Sequence, residues 1–315
     1  MRYVQYGRHG RSRPGVLYDE SVIDLEELLV LLKVPIPGPL ASLRSYIEAG
    51  EKVWASVRIW MESNGPRDLG REVSTFELSS INLEAPLKDA HKLVLVAGNY
   101  REHIREVGYR VPEAPESVTP QFFMKPPSTT VIGPGEEIHL SRRSIFVDWE
   151  VELAAVIAKR GRYIPEDEAL GFVFGYTIVN DISEREFNSN IPNRVVREKD
   201  PLFDWLHGKW FDTFAPMGPV IVTPDEIPDP HNLRISLSLN GELQQESDTG
   251  GMIHRIPYLI HKLSHIMTIE AGDVLSTGTP SGVGYRKGIR LHCGDVLECE
   301  IEGIGVLRNR VIEDR

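Results

Sequence analysis

Residues 145–186 read IFVDWEVELAAVIAKRGRYIPEDEALGFVFGYTIVNDISERE, and this stretch organises the rest of the chain. Its two apolar runs, VELAAVIA and FVFGYTIV, have the length and residue types of buried strands. Carboxylates stand at one end of each run: Glu150 and Glu152 on the first, Asp181 on the second. Because side chains two residues apart on a strand share a face, Glu150 and Glu152 point the same way. The pattern therefore predicts that three acidic side chains converge.

Three carboxylates beside a buried run repel one another unless a cation compensates them. Oxygen ligands with no Cys or His at matching spacing favour a hard ion, so the expected cofactor is Mg²⁺, or else Mn²⁺ or Ca²⁺. For the Glu-x-Glu tripeptide alone, the alternative is the solvated face of an amphipathic edge strand. The adjoining apolar run and the second strand favour a metal site formed by Glu150, Glu152 and Asp181.

The composition is that of an ordinary globular protein, and 315 residues are enough for one large domain and a smaller one. The 46 acidic and 35 basic residues give a net charge of −11, which argues against a nucleic-acid partner or an anionic membrane surface. The first residues lack the apolar segment of a signal peptide, and no apolar run approaches the roughly 20 residues of a membrane helix. We therefore expect a cytoplasmic protein.

Residues 1–85 carry no set of side chains that suggests chemistry. The first 30 residues have the pattern of short strands, with SVIDLEELL as the third, and LRSYIEAGEKVWASVRIWM suits one or two amphipathic helices. The sequence Glu84-Ala85-Pro86 indicates a boundary between a small N-terminal α+β domain, 1–85, and a catalytic domain, 86–315. We expect the N-terminal part to serve structure or assembly and to be dispensable for the chemistry.

A histidine and a glutamate follow the strand-like run KLVLVAG. His103 and Glu106 are three residues apart, so on a helical turn they share a face. There the carboxylate can fix the tautomer of the imidazole and raise its basicity, as a general base requires. The alternative is a surface ion pair, which is the commoner meaning of a bare His-x-x-Glu spacing.

Several connecting segments can be assigned from composition. Residues 108–121 contain three prolines and no periodicity, which predicts a long loop that is either a lid over the site or an ordinary surface loop. Residues 188–207 mix charge, proline and aromatic side chains and are expected to form an insertion or loop. Residues 233–244 alternate around Asn240-Gly241, which indicates a type I′ hairpin.

Some motifs can be excluded. His261 and His265 lie four residues apart, but Lys262 occupies the position where a zinc protease helix has its glutamate. The segment STGTPSGVG lacks the Gly-Lys-Ser/Thr of a P-loop, although its backbone N–H groups can hold a carboxylate or an oxyanion. Cys293 and Cys299 have no second pair to complete a zinc site, so both are expected to be reduced packing residues.

The region from about residue 91 to residue 310 contains, in this order, WEVELAAVI, GYTIVNDISERE, GKWFDTFAPMGP and MTIEAGDVLSTGTPSGVG. Together these segments resemble the fumarylacetoacetate hydrolase family. The pattern of the region, rich in strands with few long helices, predicts the α+β class with mixed and antiparallel sheet. The resemblance implies the family's mixed, β-roll-like catalytic fold and a homodimer.

The resemblance also implies catalytic roles. His103 and Glu106, which follow an Asn-Tyr pair, are similar to the family's residues that activate water. Lys209 matches its active-site lysine, and its aromatic neighbours suggest an ammonium that binds an anion strongly. Gly98 departs from many members, which have a longer side chain there, so the pocket floor is expected to differ.

Substrate contacts are expected from four residues. Three are implied by the resemblance, and Arg185 is included because it follows Asp181 by four residues and is therefore expected near the metal site. The expected substrate-binding residues are Tyr100, Lys125, Arg185 and Thr279.

The resemblance implies metal-dependent hydrolysis of a C–C bond in a small anionic oxo acid: an acylpyruvate, a fumarylpyruvate or a 2,4-dioxo (sugar) acid. His103, supported by Glu106, deprotonates water, and the metal and Lys209 hold the enolate that leaves. Alternatives within the family are decarboxylation of an oxaloacetate-type acid, isomerisation and hydration or dehydration. A rival of another class is a catalytically silent metal-binding or interaction protein, but such a protein would be expected to have lost one of these three residues.

Overall fold

The computed structural model describes residues 1–8, 10–36, 38, 40–64, 69 and 72–314. In that part of the chain, sheets of twelve, five and two strands combine with short helices, which confirms the expected α+β class. The first half of the chain forms β1 (Arg2–Arg8), β2 (Arg11–Tyr18), β3 (Ser21–Asp24), α1 (Leu25–Leu31), α2 (Leu43–Glu48), α3 (Glu51–Asn64), β4 (Thr75–Glu77), β5 (Asn82–Glu84), β6 (Leu93–Ala97), α4 (Arg101–Glu106), β7 (Gln121–Lys125), α5 (Pro127–Thr130), β8 (Val131–Ile132), β9 (Glu137–Leu140), β10 (Val147–Asp148) and β11 (Val151–Ile157). The second half forms β12 (Val173–Asn180), β13 (Ser183–Glu184), α6 (Asp200–Gly208), β14 (Ala215–Val222), β15 (Arg234–Leu239), β16 (Glu242–Asp248), α7 (Ile256–Ile266), β17 (Val274–Ser276), α8 (Gly284–Lys287), β18 (Val296–Ile301) and β19 (Gly305–Glu313).

The central strands β11 and β12 are buried along their whole length. In β11, Val151 and Leu153 face one apolar core, whereas Ala154 and Val156 face a second core on the other side of the sheet. This alternation follows from the two-residue period of a strand. The sheet is therefore covered on both faces here, and the alternative of a solvated edge strand around Glu152 is excluded.

The twelve-stranded sheet has the order β4-β3-β2-β1-β14-β12-β11-β17-β6-β7, with β5 beside β1 and β8 beside β14. Strand β1 joins the N-terminal strands to β14, where Arg2 pairs with Val222. One core lies beneath this junction and includes Tyr46 from the N-terminal part and Phe174 from β12. The predicted division at residue 85 therefore does not coincide with a break in the sheet or in the core.

The five-stranded sheet has the order β16-β15-β18-β19-β9. Its β15–β16 hairpin turns at Asn240 and Gly241, whose φ angles are 53° and 82°. Positive φ at both positions is what a type I′ turn requires, so the hairpin expectation is confirmed. Both thiols are free; Cys299 is buried in β18, whereas Cys293 is exposed, and the expected packing role of Cys293 is wrong.

The third N-terminal segment is a strand for only half of its length. Strand β3 ends at Asp24, whose carboxylate accepts a hydrogen bond from the main-chain N–H of Glu27 at 3.0 Å. This N-cap starts helix α1 at Leu25, so the expectation of a strand through SVIDLEELL is wrong for its second half.

Part of the predicted insertion at 188–207 is also helical. Helix α6 begins at Asp200, with Pro201 in its first turn, where the missing N–H of proline has no helical partner to lose. Trp205 of this helix packs edge-on against Phe123, with ring centroids 4.9 Å apart. Tertiary packing of aromatic residues therefore stabilises a helix that the polar composition of the segment did not indicate.

None of the helices within the described residues is long and apolar enough to cross a bilayer.

Candidate metal centre and active site

The three predicted metal ligands lie together where β11 begins and β12 ends. These strands are antiparallel, with Val151 opposite Asn180, so the residues just outside this pair meet. Glu150, Glu152 and Asp181 each offer a carboxylate oxygen within 4.8 Å of the others, and all three side chains are buried. The convergence expected from the sequence is therefore present in the structure.

Two cationic side chains, Lys209 and Arg185, contact the carboxylates of this cluster. The Nζ atom of Lys209 lies 2.8 Å from Oε2 of Glu150 and 2.6 Å from Oδ2 of Asp181. The guanidinium of Arg185 donates to Glu150 and also, at 2.7 Å, to Oδ1 of the buried Asp148. Both cations were expected near the site, and both contact a predicted metal ligand directly.

Lys125 lies beneath the cluster with no exposed surface. Its Nζ is 2.5 Å from Oδ1 of Asp181, while its N–H groups donate to the main-chain carbonyls of Ile182 and Phe214. Burial, the largest effect, lowers the pKa of Lys125 to about 8 despite the neighbouring Asp181. In this arrangement Lys125 is a fixed counter-ion to Asp181 and has no exposed surface, so the structure does not place it where the expected substrate contact requires it.

The carboxylates differ in electrostatic environment. Burial raises the pKa of Glu150, but Arg185 and Lys209 outweigh burial and hold that pKa well below its usual value. For Glu152, burial and the repulsion of Asp181 and Glu150 act together, and they raise its pKa well above its usual value. Of these two carboxylates, Glu152 is therefore the one whose negative charge is less stabilised by nearby cations.

The hydrogen bonds of Glu152 come from neutral groups, the hydroxyl of Ser276 and the main-chain N–H of Gly278 at 2.9 Å. A carboxylate that is buried beside two others and bonded by neutral donors lacks a balancing positive charge. The donor set is all oxygen, which suits a hard divalent cation. The residues thus fit a cation held by Glu150, Glu152 and Asp181.

The histidine–glutamate pair has the geometry expected of a base and its orienting group. On helix α4, Nδ1 of His103 lies 3.0 Å from Oε2 of Glu106. The other carboxylate oxygen, Oε1, accepts from the main-chain N–H of Gly282 at 2.9 Å. Burial raises the pKa of Glu106, but the hydrogen bonds from His103 and Gly282 outweigh burial and lower the pKa below its usual value. An ionised Glu106 favours a proton on Nδ1 of His103 and leaves Nε2 as the acceptor.

A single cavity of about 770 Å³ joins the pair to the carboxylate cluster. Its wall includes the predicted site residues His103, Glu150, Glu152, Arg185, Lys209 and Thr279. Thr279 is oriented by hydrogen bonds, since it donates to the carbonyl of Val151 at 2.9 Å and accepts from Gln245 at 2.9 Å. Tyr100 is buried outside this wall, and its pKa is raised by burial and by nearby Glu152. The structure therefore brings the predicted residues to one cavity, apart from Tyr100, Lys125 and the supporting carboxylates Glu106 and Asp181.

The loop at 108–121 forms one side of this cavity. The residues of the loop that line it are Tyr109, Arg110, Pro112, Val118, Thr119, Pro120 and Gln121. An ordinary surface loop would not supply so much of the wall of the cavity that holds the carboxylates. This position supports the lid alternative, which stays a prediction about motion.

Several residues of the site were missed by the sequence analysis. Asp148 continues the alternation of Glu150 and Glu152 in DWEVE, so that period was a usable signal. Asn99 bonds the main chain of His254, which lines the cavity, and the main-chain carbonyl of Thr277. His254 has no sequence signal at all, because it stands alone in an apolar segment before α7.

The α+β fold places a carboxylate cluster and a histidine–glutamate pair in one cavity, which is the construction of an acid–base enzyme with a place for a cation. The sequence model described as "Fumarylacetoacetate (FAA) hydrolase C-terminal" matches residues 92–312. The chain therefore belongs to the fumarylacetoacetate hydrolase family of enzymes.

Proteins that are similar to this chain carry different reaction names. The chain is 37% identical over 318 residues to the mitochondrial oxaloacetate tautomerase Fahd2a of Rattus norvegicus, covering 99% of this chain and 92% of that protein. Its fold is similar to that of the fumarylacetoacetate hydrolase of Exiguobacterium antarcticum, with 30% identity, a TM-score of 0.76 and full coverage of both chains. It is also similar to the 5-carboxymethyl-2-hydroxymuconate delta-isomerase of Mycobacterium smegmatis, with 27% identity, a TM-score of 0.71 and full coverage of both.

Proposed function

We propose that this protein is a divalent-cation-dependent enzyme that interconverts the keto and enol forms of a 2-oxo dicarboxylic acid of the oxaloacetate type. The observation that carries the proposal is the cavity itself, in which the base His103 shares a wall with Glu150, Glu152 and Lys209. A relative that covers nearly the whole chain is named an oxaloacetate tautomerase, and another similar protein is named an isomerase. Both names describe proton shifts without loss of a fragment.

The residues of the chain supply the proton transfer. The C–H bond beside the oxo group breaks, its electron pair forms the C=C bond of the enol, and the carbonyl oxygen gains a proton. His103 accepts the proton from carbon at Nε2, while Glu106 holds the opposite nitrogen and stabilises the imidazolium. Lys209 places a positive charge beside the cluster that faces the substrate carbonyl. When bound by Glu150, Glu152 and Asp181, a divalent cation would polarise that carbonyl and so make the neighbouring C–H more acidic.

Hydrolysis of a C–C bond in an acylpyruvate, fumarylpyruvate or 2,4-dioxo acid is the second candidate. The same His103 and Glu106 pair suits removal of a proton from water, and the similar protein from Exiguobacterium antarcticum is named a hydrolase. The two reactions differ in their products, because tautomerisation keeps the carbon skeleton and hydrolysis of an acylpyruvate releases pyruvate.

The test follows both outcomes on the same preparation with Mg²⁺. Enol loss from oxaloacetate is measured by ultraviolet absorbance, and pyruvate release is measured with lactate dehydrogenase, against a control with Mg²⁺ and no protein. The proposal expects rapid enol loss with no enzyme-dependent pyruvate from oxaloacetate. Pyruvate released in step with substrate loss indicates decarboxylation if the substrate is oxaloacetate and hydrolysis if it is an acylpyruvate. If the protein releases pyruvate but does not accelerate enol loss from oxaloacetate above the control with Mg²⁺ alone, tautomerisation is contradicted.

Three expectations from the sequence stay as predictions beside this proposal: Mg²⁺ as the preferred ion among Mg²⁺, Mn²⁺ and Ca²⁺, a cytoplasmic location, and a homodimer. The rat relative is named as mitochondrial, so location is to be tested by fractionation of cells that express the protein. Metal content of the purified protein and its mass in solution test the other two.

A further inference from the structure

His254 lines the main cavity but has no part in the proposed chemistry. It lies in the short segment between β16 and α7 and is only 4% exposed. The same residue also borders a smaller adjoining cavity, whose wall includes Pro115 and Glu116 of the loop 108–121. His254 therefore stands between the main cavity and the segment that closes one side of it.

The main chain of His254 is fixed relative to the carboxylate cluster. The side-chain amide of Asn99 donates to the carbonyl of His254 at 3.0 Å and accepts from its N–H at 2.8 Å. The same amide donates to the carbonyl of Thr277 at 2.8 Å, and the next residue, Gly278, donates its N–H to Glu152 at 2.9 Å. A short series of hydrogen bonds thus sets the distance between His254 and Glu152, as a built binding site requires.

The imidazole of His254 is held but not satisfied. Its ring stacks on Tyr258, with centroids 5.1 Å apart and an interplanar angle of 11°. Nδ1 is buried and has no hydrogen-bond partner among the described residues. Burial, and then the positive charge of Lys262, lower the pKa of His254, so the ring is neutral near neutral pH. A buried polar nitrogen without a partner costs free energy unless a ligand or water completes it.

We infer that His254 determines specificity by hydrogen-bonding an oxygen at the end of the substrate remote from its 2-oxo acid group. The inference rests on the proposed function, in which the carboxylate cluster and Lys209 hold the 2-oxo acid end. The remote oxygen then meets the part of the cavity wall that contains His254, whose main chain Asn99 holds in place. For a four-carbon diacid this oxygen belongs to the second carboxylate, and in an acylpyruvate it belongs to the acyl carbonyl. One N–H of a neutral imidazole suits either acceptor.

Binding of three small acids in the presence of Mg²⁺ tests the inference, measured by calorimetry on the full chain. Oxalate has no remote group, whereas 2-oxobutanoate has the four-carbon length of oxaloacetate with a methyl in place of the second carboxylate. We expect wild-type protein to bind oxaloacetate about tenfold more tightly than 2-oxobutanoate, the factor that corresponds to about 1.4 kcal/mol. His254→Phe is expected to remove that preference while oxalate affinity stays within about twofold. Acetylpyruvate in place of oxaloacetate shows which remote oxygen the site prefers.

Two control variants accompany this change. His254→Gln keeps an N–H donor and is expected to retain part of the preference. His265→Phe alters an exposed histidine on α7 and is expected to change none of the three affinities. A preference for oxaloacetate that survives in His254→Phe overturns the inference, as does an equal loss of affinity for all three acids. Absence of oxalate binding by wild-type protein instead overturns the proposed function, so the two failures are distinguishable.

Discussion

Two buried charge clusters lie on the same sheet and differ in whether each buried carboxylate is paired with a cation. In the N-terminal part, a single carboxylate, Asp24, accepts from the Tyr6 hydroxyl at 2.6 Å, from Arg13 Nη2 at 2.9 Å and from the main-chain N–H of Glu27 at 3.0 Å. Every partner is a donor, and one of them is a cation. Asp24 is thus paired directly with a cation and caps a helix, which is a structural task.

The cluster at the ends of β11 and β12 contains three carboxylates, and one of them, Glu152, is bonded by neutral donors alone. It also opens onto the main cavity, whereas Asp24 is enclosed. The comparison teaches that burial of charge does not by itself mark a functional site. A buried carboxylate at a cavity wall that has no cation of its own, such as Glu152, is what distinguishes a place for a metal ion from a structural ion pair.

Deletion of residues 1–85 is expected to have the largest effect, loss of the folded protein. Strand β14 would lose its partner β1, and the core around Phe174 would lose Tyr46 and the rest of its N-terminal half. Burial of that apolar surface is the main favourable term for folding. Circular dichroism and size-exclusion chromatography of the truncated chain provide the measurement. A truncation that folds and binds Mg²⁺ like the whole chain would contradict this expectation and support the prediction from the sequence that residues 1–85 are a separate, dispensable unit.

The next largest effect is expected from Glu152→Gln. This change removes the carboxylate of the cluster that has only neutral hydrogen-bond donors. We expect loss of measurable Mg²⁺ binding and a fall in kcat/KM of about 10³-fold or more, because the cation contributes several kcal/mol to polarising the carbonyl. The matched control is Glu184→Gln, a nearby buried carboxylate that accepts from the main-chain N–H groups of Ile145 and Phe146. That control is expected to affect stability and to leave Mg²⁺ affinity within a few fold. If Glu152→Gln binds Mg²⁺ as tightly as Glu184→Gln and the wild type do, Glu152 is not a metal ligand.

His103→Ala is expected to lower kcat by about 10²-fold, the lower part of the usual range for general acid–base catalysis, with little change in KM. The imidazole transfers the proton but does not hold the 2-oxo acid group, so binding is preserved. Steady-state kinetics of enol loss with saturating Mg²⁺ give both parameters, and His265→Ala on the surface of α7 serves as the control. A wild-type kcat in His103→Ala would show that another group moves the proton.

Asp24→Asn is expected to have the smallest effect on function and a moderate effect on folding. Asparagine can still cap α1, but the buried charge that pairs with Arg13 is lost, so the free energy of unfolding is expected to fall by about 1–3 kcal/mol. Urea denaturation measures this change. Mg²⁺ affinity and kcat are expected to match wild type in the folded protein, and a large loss of either would mean that the two clusters are coupled.

The sequence was sufficient for the parts of the site that depend on local pattern. Alternation along WEVEL and the position of Asp181 after the next strand predicted the three-carboxylate cluster, and the structure places all three together. The three-residue spacing of His103 and Glu106 predicted their contact, and the 3.0 Å distance confirms it. Both predictions concern neighbours on one element or on adjacent antiparallel strands.

The parts that escaped prediction depend on long-range contacts. Lys125 is 56 residues from Asp181 in the sequence, so no local pattern indicated that it would be enclosed as a counter-ion. Pairing of β1 with β14 links residues more than 200 apart, and nothing in the composition around residue 85 indicates that contact. His254 reaches the cavity wall because Asn99 binds its main chain, and nothing near residue 254 signals that contact.

The most direct measurement is enol loss from oxaloacetate by protein stripped of divalent ions and then reloaded with Mg²⁺. The cluster of Glu150, Glu152 and Asp181 predicts that stripped protein adds nothing to the background rate and that Mg²⁺ restores its activity. The Asp24→Asn protein should respond in the same way as wild type. Full activity in protein shown by metal analysis to contain no divalent ion would contradict a cation-dependent function for the cluster.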